Sequence, residues 1–273
     1  MAHAQEVAAG KRFEFGKNWA HFLEALTEER IARAQSSLVR MLGAKSLAGQ
    51  TFLDIGCGSG LFSLAARRLG ARVRSLDFDP QSVACALELR RRFFPEDGWW
   101  QIEEGSALDR AYLESLGRFD IVYSWGVLHH TGDMWAALEN AAVPVAAGGL
   151  LFLSIYNDQG TSSRRWLALK RLYNHLPRPL RPVLETAVLI HQWWRPAVKD
   201  FFRMRPFQTW RQYYADRGMS PWHDVLDWVG GYPFEFAKPE EIFDFYLQRG
   251  FTLVRLKTCA GSLGCNEFVF QRT

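Results

Sequence analysis

FLDIGCGSG, residues 52–60, is the stretch that decides how this chain is read. With Thr51 before it, TFLDI reads as a short buried strand, and Gly56, Cys57, Gly58, Ser59 and Gly60 form the turn that follows. LFSLAARRL at 61–69 then has the apolar spacing of a helix. A strand, a glycine turn and a helix N-terminus in that order present free N–H groups to a ligand, and glycine lets the ligand approach the backbone closely. Alone, the loop is also compatible with a tight strand-to-helix turn that binds nothing. Its spacing sharpens it. GxGxG with Asp54 two residues upstream differs from the GxGxxG of dinucleotide sites. A second strand-like run ends in Asp77, seventeen positions after Gly60. An acid at that place accepts both hydroxyls of a ribose at the sheet's switch point. Asp79 precedes Pro80 and reads as a helix N-cap, so the ribose goes to Asp77 alone.

Outward from the loop, short apolar runs alternate with amphipathic stretches between residues 50 and 156. The runs are 51–55, 73–76, 99–102, 119–124 and 149–155. That alternation predicts β-α-β units on a mostly parallel sheet. A helix is expected from Pro80 to Arg92, and Gly70 stops the one before it. Strand texture returns at 251–258 and 266–271, joined by a glycine-containing turn and preceded by a helix at 239–250. Seven strands result, the last two a hairpin. Residues 18–42 carry Trp19, Phe22, Leu23, Leu26, Ile31, Leu38, Met41 and Leu42 at helical spacing, which predicts one or two helices over the sheet edge or the site.

The 273 residues are 48% hydrophobic, enough for one large core or a core with a sizeable insertion. A net charge of +4 is too small to argue for nucleic acid. Cys57, Cys85, Cys259 and Cys265 show no CxxC pair and no His–Cys spacing, which speaks against zinc and a disulfide framework and fits a reducing compartment. The first residues have no signal-like apolar core, and AVLIHQWW at 187–194 is far short of a bilayer span. A cytoplasmic location is expected. Charge is concentrated at 158–219, where twelve Lys/Arg face four Asp/Glu, a local +8. That stretch is rich in Trp, Arg, Tyr and Pro, and reads as helices broken at Pro177, Pro179, Pro182, Pro196 and Pro206.

FLDIGCGSG, VRSLDFDP, FDIVYSWGVLHH and VAAGGLLFLSIYN match, in order and spacing, the core of the class I S-adenosylmethionine-dependent methyltransferases, and the chain most resembles the ubiquinone-type O-methyltransferases. The resemblance covers about residues 17–157 and the final hairpin. It implies a Rossmann-like α/β fold with helices on both faces of a seven-stranded, mostly parallel sheet and S-adenosylmethionine as cofactor. Residues 49–157 with 251–273 would be the cofactor-binding core, 1–48 a helical cover, and 158–250 a helical lid. Backbone around Gly56, Cys57, Gly58 and Gly60 would hold the methionine moiety, with Asp54 organising the loop and the amino group. Asp77 would bind the ribose and Phe78 would lie against the adenine. Ser106 and Ala107 stand where the family often has an adenine-reading Asp, which leaves that contact to backbone groups. Ser124 and Trp125 would border the sulfonium.

Methyl transfer to a hydroxyl needs alignment, exclusion of water and a base. His129 and His130 fall just past the fourth strand, at the edge where open α/β sheets bind ligands. One of them is read as base or acceptor ligand, His130 by preference with Asp133 as orienting partner; the alternative is a simple turn cap. A second candidate cluster is Trp222-His223-Asp224 with Asp227, Trp228 and the glycine-rich 230–235, read as a loop lining an acceptor pocket or as packing. His175 and His191 read as surface residues, and no metal-ligand spacing appears. The basic insertion admits three readings: a substrate lid, an anionic membrane contact, or RNA binding. Where the resembled base-modifying enzymes carry Asn/Asp-Pro-Pro-aromatic, this chain has SWGV, which disfavours nucleic acid. The lid reading is preferred. The function expected is methyl transfer to an oxygen of a small-molecule, lipid-linked or glycan acceptor. The alternatives are nitrogen or sulfur acceptors, or a nucleotide-binding protein without chemistry.

Overall fold

The structure, a computed structural model, describes residues 2–14, 16, 19, 23, 26–96, 98–217 and 221–273, without the side chains of residues 2, 214–217, 221, 223, 224 and 227. It divides into two compact units, Glu14–Ser163 with Pro233–Thr273, and Met1–Phe13 with Arg164–Tyr232. The boundaries thus fall at 163/164 and 232/233, where the sequence suggested 157/158 and 250/251. Residues 233–250 stay with the sheet because their helix buries Ile242 and Tyr246 in the sheet's own core.

The larger unit is built on β1 (Thr51–Ile55), β2 (Arg72–Asp77), β3 (Trp100–Glu104), β4 (Phe119–Trp125), β5 (Val145–Tyr156), β6 (Phe251–Lys257) and β7 (Cys265–Arg272). Their order is β3-β2-β1-β4-β5-β7-β6. Strands β1 to β5 pair in parallel, and β7 runs antiparallel to both neighbours. This is the expected Rossmann-like α/β fold. Alternation along each strand builds two cores. Leu53, Ile55, Val122, Leu153 and Phe270 face one side. Phe52, Val73, Ile121, Tyr123 and Val269 face the other. Helices cover both. In chain order, α1 is Ala2–Ala8, α2 Glu28–Leu42, α3 Leu61–Arg68, α4 Pro80–Phe93, α5 Arg110–Ser115 and α6 Met134–Ala142. Next come α7 Thr161–His175, α8 Arg181–Phe202, α9 Gln208–Arg217, α10 Pro221–Gly230 and α11 Pro239–Leu247.

Local chemistry sets the boundaries. Thr27 caps α2 through the Arg30 N–H, Glu28 and Glu29 sit in its first turn, and Gly43 ends it in a left-handed conformation. Its stripe of Ile31, Ala34, Leu38 and Met41 is buried, as the apolar spacing predicts; Phe22 of that expectation lies outside the described residues.

The smaller unit has its own core of Tyr173, Val188, Val225 and Val229, with Trp166 and Trp228 packed against it. Two expectations change there. Residues 221–230 form a helix and not a loop, because Val225, Leu226 and Val229 recur at helical spacing and Val225 and Val229 are buried. Pro196 lies inside α8 rather than ending it. An interior proline costs about 3 kcal/mol in lost N–H bonding and crowding. Contacts on either side of it hold the helix together: Trp193 packs against Trp210 and Tyr213, and Asp200 accepts two hydrogen bonds from Thr209. Among the described residues no helix is long and apolar enough to cross a membrane.

Candidate active site

The candidate site lies at the carboxyl ends of β1, β2, β4 and β5, where the glycine loop, Asp77, Trp125 and Tyr156 come together on one edge of the sheet. The three loop glycines all have positive φ, and each is required for its own reason. A side chain at Gly56 would collide with Val127, which follows β4. One at Gly60 would lie 3.0 Å from Ala86 of α4. One at Gly58 would press on the Trp19 ring at 3.1 Å. Only the last faces away from the loop's own scaffold, toward the N-terminal segment. Gly16 of that segment donates its N–H to Asp79 Oδ2 at 2.9 Å, and Asp79 also caps α4 through the Gln81 N–H. Asp79 is thereby occupied in structure, as its position before Pro80 suggests.

Asp77 is half-buried and ties two loops together. Its Oδ2 accepts from the Gly58 N–H at 2.8 Å and its Oδ1 from the Asp79 N–H at 2.9 Å. The N–H groups of Gly56 and Cys57 both donate to the Leu76 carbonyl. These bonds fasten the turn to β2. The Cys57 thiol is pushed well up by burial and by the nearby Asp77 and Asp54 charges, so it stays protonated.

Beneath the loop, Asp54 is only 1% exposed. Its carboxyl is raised to about 7, chiefly by burial; the Ser63 hydroxyl opposes this and the Asp77 charge adds to it. Ser63 donates to Asp54, Ser75 donates to Ser63 at 2.7 Å, and the Trp100 indole donates to Ser75 at 2.9 Å. This buried relay was not visible in the sequence. Register pairing places Ser75 directly beside Asp54 on the neighbouring strand, a signal that a strand alignment would have exposed.

The Asp54 carboxyl yields a prediction. Its ordinary unfolded pKa is near 3.9, so between about pH 4 and 7 the folded chain holds the extra proton and stability falls as pH rises. Asp54→Asn removes that slope. Its melting temperature is expected to exceed wild type at pH 8 and to match it near pH 4. Equal melting at both pH values would show that the carboxyl is not desolvated.

Past β4, a short 3-10 turn at Leu128–His130 presents the two histidines. His129 is fully buried, its Nδ1 accepts from the Tyr156 N–H at 3.4 Å, and its ring lies 4.1 Å from the Tyr156 ring. His130 is half-buried, and its Nδ1 lies 2.5 Å from the Pro233 carbonyl. A carbonyl only accepts, so Nδ1 is the protonated nitrogen in this contact. Asp133, the expected orienting partner, uses its carboxylate to cap α6 at the Ala136 N–H. The loop is organised by Glu235, which accepts from the Gly132 and Met134 N–H groups, while the Glu235 N–H donates to the His129 carbonyl. Burial raises the Glu235 carboxyl, against the pull of those backbone bonds. Tyr156 is the residue that sequence reasoning missed, while Pro233 and Glu235 belong to the 230–235 stretch read there as an acceptor-pocket lining.

Other expected positions are placed as follows. Ser124 is fully buried and donates to the Ile55 carbonyl at 2.9 Å, so its hydroxyl joins two strands beneath the edge. Trp125, one residue on, is 42% exposed and stacks near Phe62. Ser106 closes a local turn through the Leu108 N–H, and the Ala107 carbonyl accepts from Asn140. Phe78 is half-buried beside Asp77. The His223 side chain lies outside the described residues.

A model described as a methyltransferase domain matches residues 26–223. The chain belongs to this methyltransferase family. The match spans both halves of the site edge, from the glycine loop through the histidine turn. Among curated relatives, the ubiquinone biosynthesis O-methyltransferase of Methylobacterium sp. (strain 4-46) is 34% identical over 116 residues, 42% of this chain and 45% of the relative. That of Xanthomonas euvesicatoria is 36% identical over 111 residues, 41% and 45%. The matched region thus spans about half the length of these relatives. Two solved structures share the fold. Magnesium protoporphyrin IX methyltransferase from Synechocystis, with SAH bound, superposes with a TM-score of 0.53 at 16% identity, over 90% of this chain and 83% of that one. An N-methyltransferase from Bradyrhizobium japonicum in complex with S-adenosyl-L-homocysteine superposes with a TM-score of 0.51 at 15% identity, over 95% and 98%. The chain thus has the class I methyltransferase fold. An acid at the end of β2 and a buried carboxyl under the glycine loop are residues that suit S-adenosylmethionine.

Proposed function

We propose that this methyltransferase moves the methyl group of S-adenosylmethionine to an oxygen of a small-molecule acceptor, a class that includes lipid-linked and glycan hydroxyls. The observation that carries the reading is the His130–Pro233 contact. It turns Nδ1 to a carbonyl at the carboxyl end of β4, half-buried beside Tyr156, so that Nε2 is the ring atom that can take a proton when the imidazole is neutral. A hydroxyl needs such a base, because its oxygen is a weak nucleophile until the proton leaves. Bound S-adenosylmethionine supplies a methyl carbon already activated by the sulfonium. Asp77 holds the ribose, Asp54 faces the amino group from beneath the loop, and Trp19 covers Gly58. His130 Nε2 would take the acceptor's hydroxyl proton, and the oxygen so freed would receive the methyl group, giving a methyl ether and S-adenosylhomocysteine.

Turnover with isotope-labelled S-adenosylmethionine against phenols, sugar alcohols, primary amines and thiols tests the assignment. Label transfer confined to oxygen acceptors, with His130-dependent turnover, is the expected outcome. Transfer to amines or thiols alone would replace the oxygen assignment. Tight cofactor binding without turnover on any class would favour a protein that keeps the loop and lacks the chemistry.

A further inference from the structure

The turn between α8 and α9 exposes bulky apolar side chains to a degree that folding does not explain. Phe201, Phe202, Met204 and Phe207 are 72%, 79%, 88% and 70% exposed. Ile190, Trp194 and Val198 continue the apolar surface along α8. Exposed apolar residues scattered singly are ordinary, but a contiguous group marks a surface that something else covers. The turn is firmly built. Asp200 is buried and holds Thr209 through both carboxylate oxygens, at 2.7 and 2.6 Å. The N–H groups of Arg203, Met204 and Arg205 bond back to Lys199, Phe201 and Asp200. Met204 and Phe207 adopt positive φ, which bulky residues take only where the surroundings impose it. The chain thus holds these side chains outward.

We propose that this turn is a membrane-inserting tip that seats the helical unit on an anionic bilayer surface. The charge pattern selects this occupant. Between residues 190 and 211 the cations are Arg195, Lys199, Arg203, Arg205 and Arg211, and the one acid is Asp200, turned inward to Thr209. Arginines alternate with the apolar residues of the turn itself, so apolar side chains enter the acyl boundary as cations meet anionic headgroups. A second copy of the same face would set like charges against each other. Trp194, on the exposed side of α8, suits the headgroup level. The proposal does not depend on which acceptor is methylated.

Co-sedimentation of the full chain with phosphatidylcholine vesicles, with and without 30% phosphatidylglycerol as chosen probe composition, tests it. Binding to the anionic vesicles is expected to be at least about tenfold stronger and to weaken with salt. Phe202→Ser/Phe207→Ser should lose about tenfold or more in vesicle binding with S-adenosylmethionine affinity unchanged. Arg203→Gln/Arg205→Gln should lose the preference for anionic lipid. Should the serine pair fail to fold, Phe202→Cys carrying an environment-sensitive fluorophore is expected to report an apolar setting on vesicle addition. No binding to either vesicle, serine variants that bind like wild type, or an unresponsive fluorophore would overturn the proposal. So would self-association in ultracentrifugation that the serine pair abolishes while vesicles are ignored.

Discussion

Asp77→Ala is expected to weaken S-adenosylmethionine binding by roughly two to four orders of magnitude in calorimetry. A hydrogen bond to a charged group contributes about 1.5–3 kcal/mol, a ribose offers two hydroxyls to one carboxylate, and each 1.4 kcal/mol is tenfold in affinity. The loss has a second source. Asp77 also receives the Gly58 and Asp79 N–H groups, so alanine releases the latch between the glycine loop and the α4 N-terminus. The two sources separate with nucleosides. Wild type should prefer adenosine to 3′-deoxyadenosine, because one hydroxyl is missing from the latter. If Asp77 reads the ribose, Asp77→Ala binds both weakly and equally. If its role is confined to the loop, both weaken but the preference survives, and the ribose assignment fails. A variant with wild-type affinity would remove Asp77 from the site altogether.

What sequence alone could reach here follows from distance along the chain. The glycine loop, Asp77 and the Asp79 cap are local patterns, in which each residue's partner lies within a turn or at a fixed offset across one β-α-β unit. They were legible. The Asp54 relay joins residues 9, 12 and 25 positions apart, carried by two strands, a helix and a third strand, and only strand register shows that Ser75 stands beside Asp54. The partner of His130 lies 103 residues away. No spacing rule reaches that far, and Asp133, three residues away, spends a carboxylate oxygen on the α6 cap. Ser124 is a sulfonium neighbour only by the resemblance, and the partner of its hydroxyl, the Ile55 carbonyl, lies 69 residues away. Helix α10 was missed for a different reason. Trp, His, Asp and Gly crowd 222–231 and resemble a binding loop, while the apolar period of Val225, Leu226 and Val229 spans little more than one turn.

His130→Ala is expected to lower turnover about 100- to 10,000-fold, the usual contribution of a positioned base, with S-adenosylmethionine affinity within about twofold of wild type. A structural turn residue would not give that split. Asp54 complicates a naive pH profile, because its carboxyl near 7 must be ionised to attract the cofactor's ammonium. Cofactor affinity therefore falls as pH drops below about 7. The two residues are distinguishable, since Asp54 acts on binding and KM, whereas His130→Ala acts on kcat. Added imidazole should restore part of the His130→Ala rate by filling the space the ring leaves. His129→Ala should behave otherwise. That ring is fully buried and takes the Tyr156 N–H, so its removal leaves a cavity and an unmet backbone donor, lowering the melting temperature with no imidazole rescue. Full activity in His130→Ala would make the histidine a turn residue and return the search for a base to Tyr156 and Glu235.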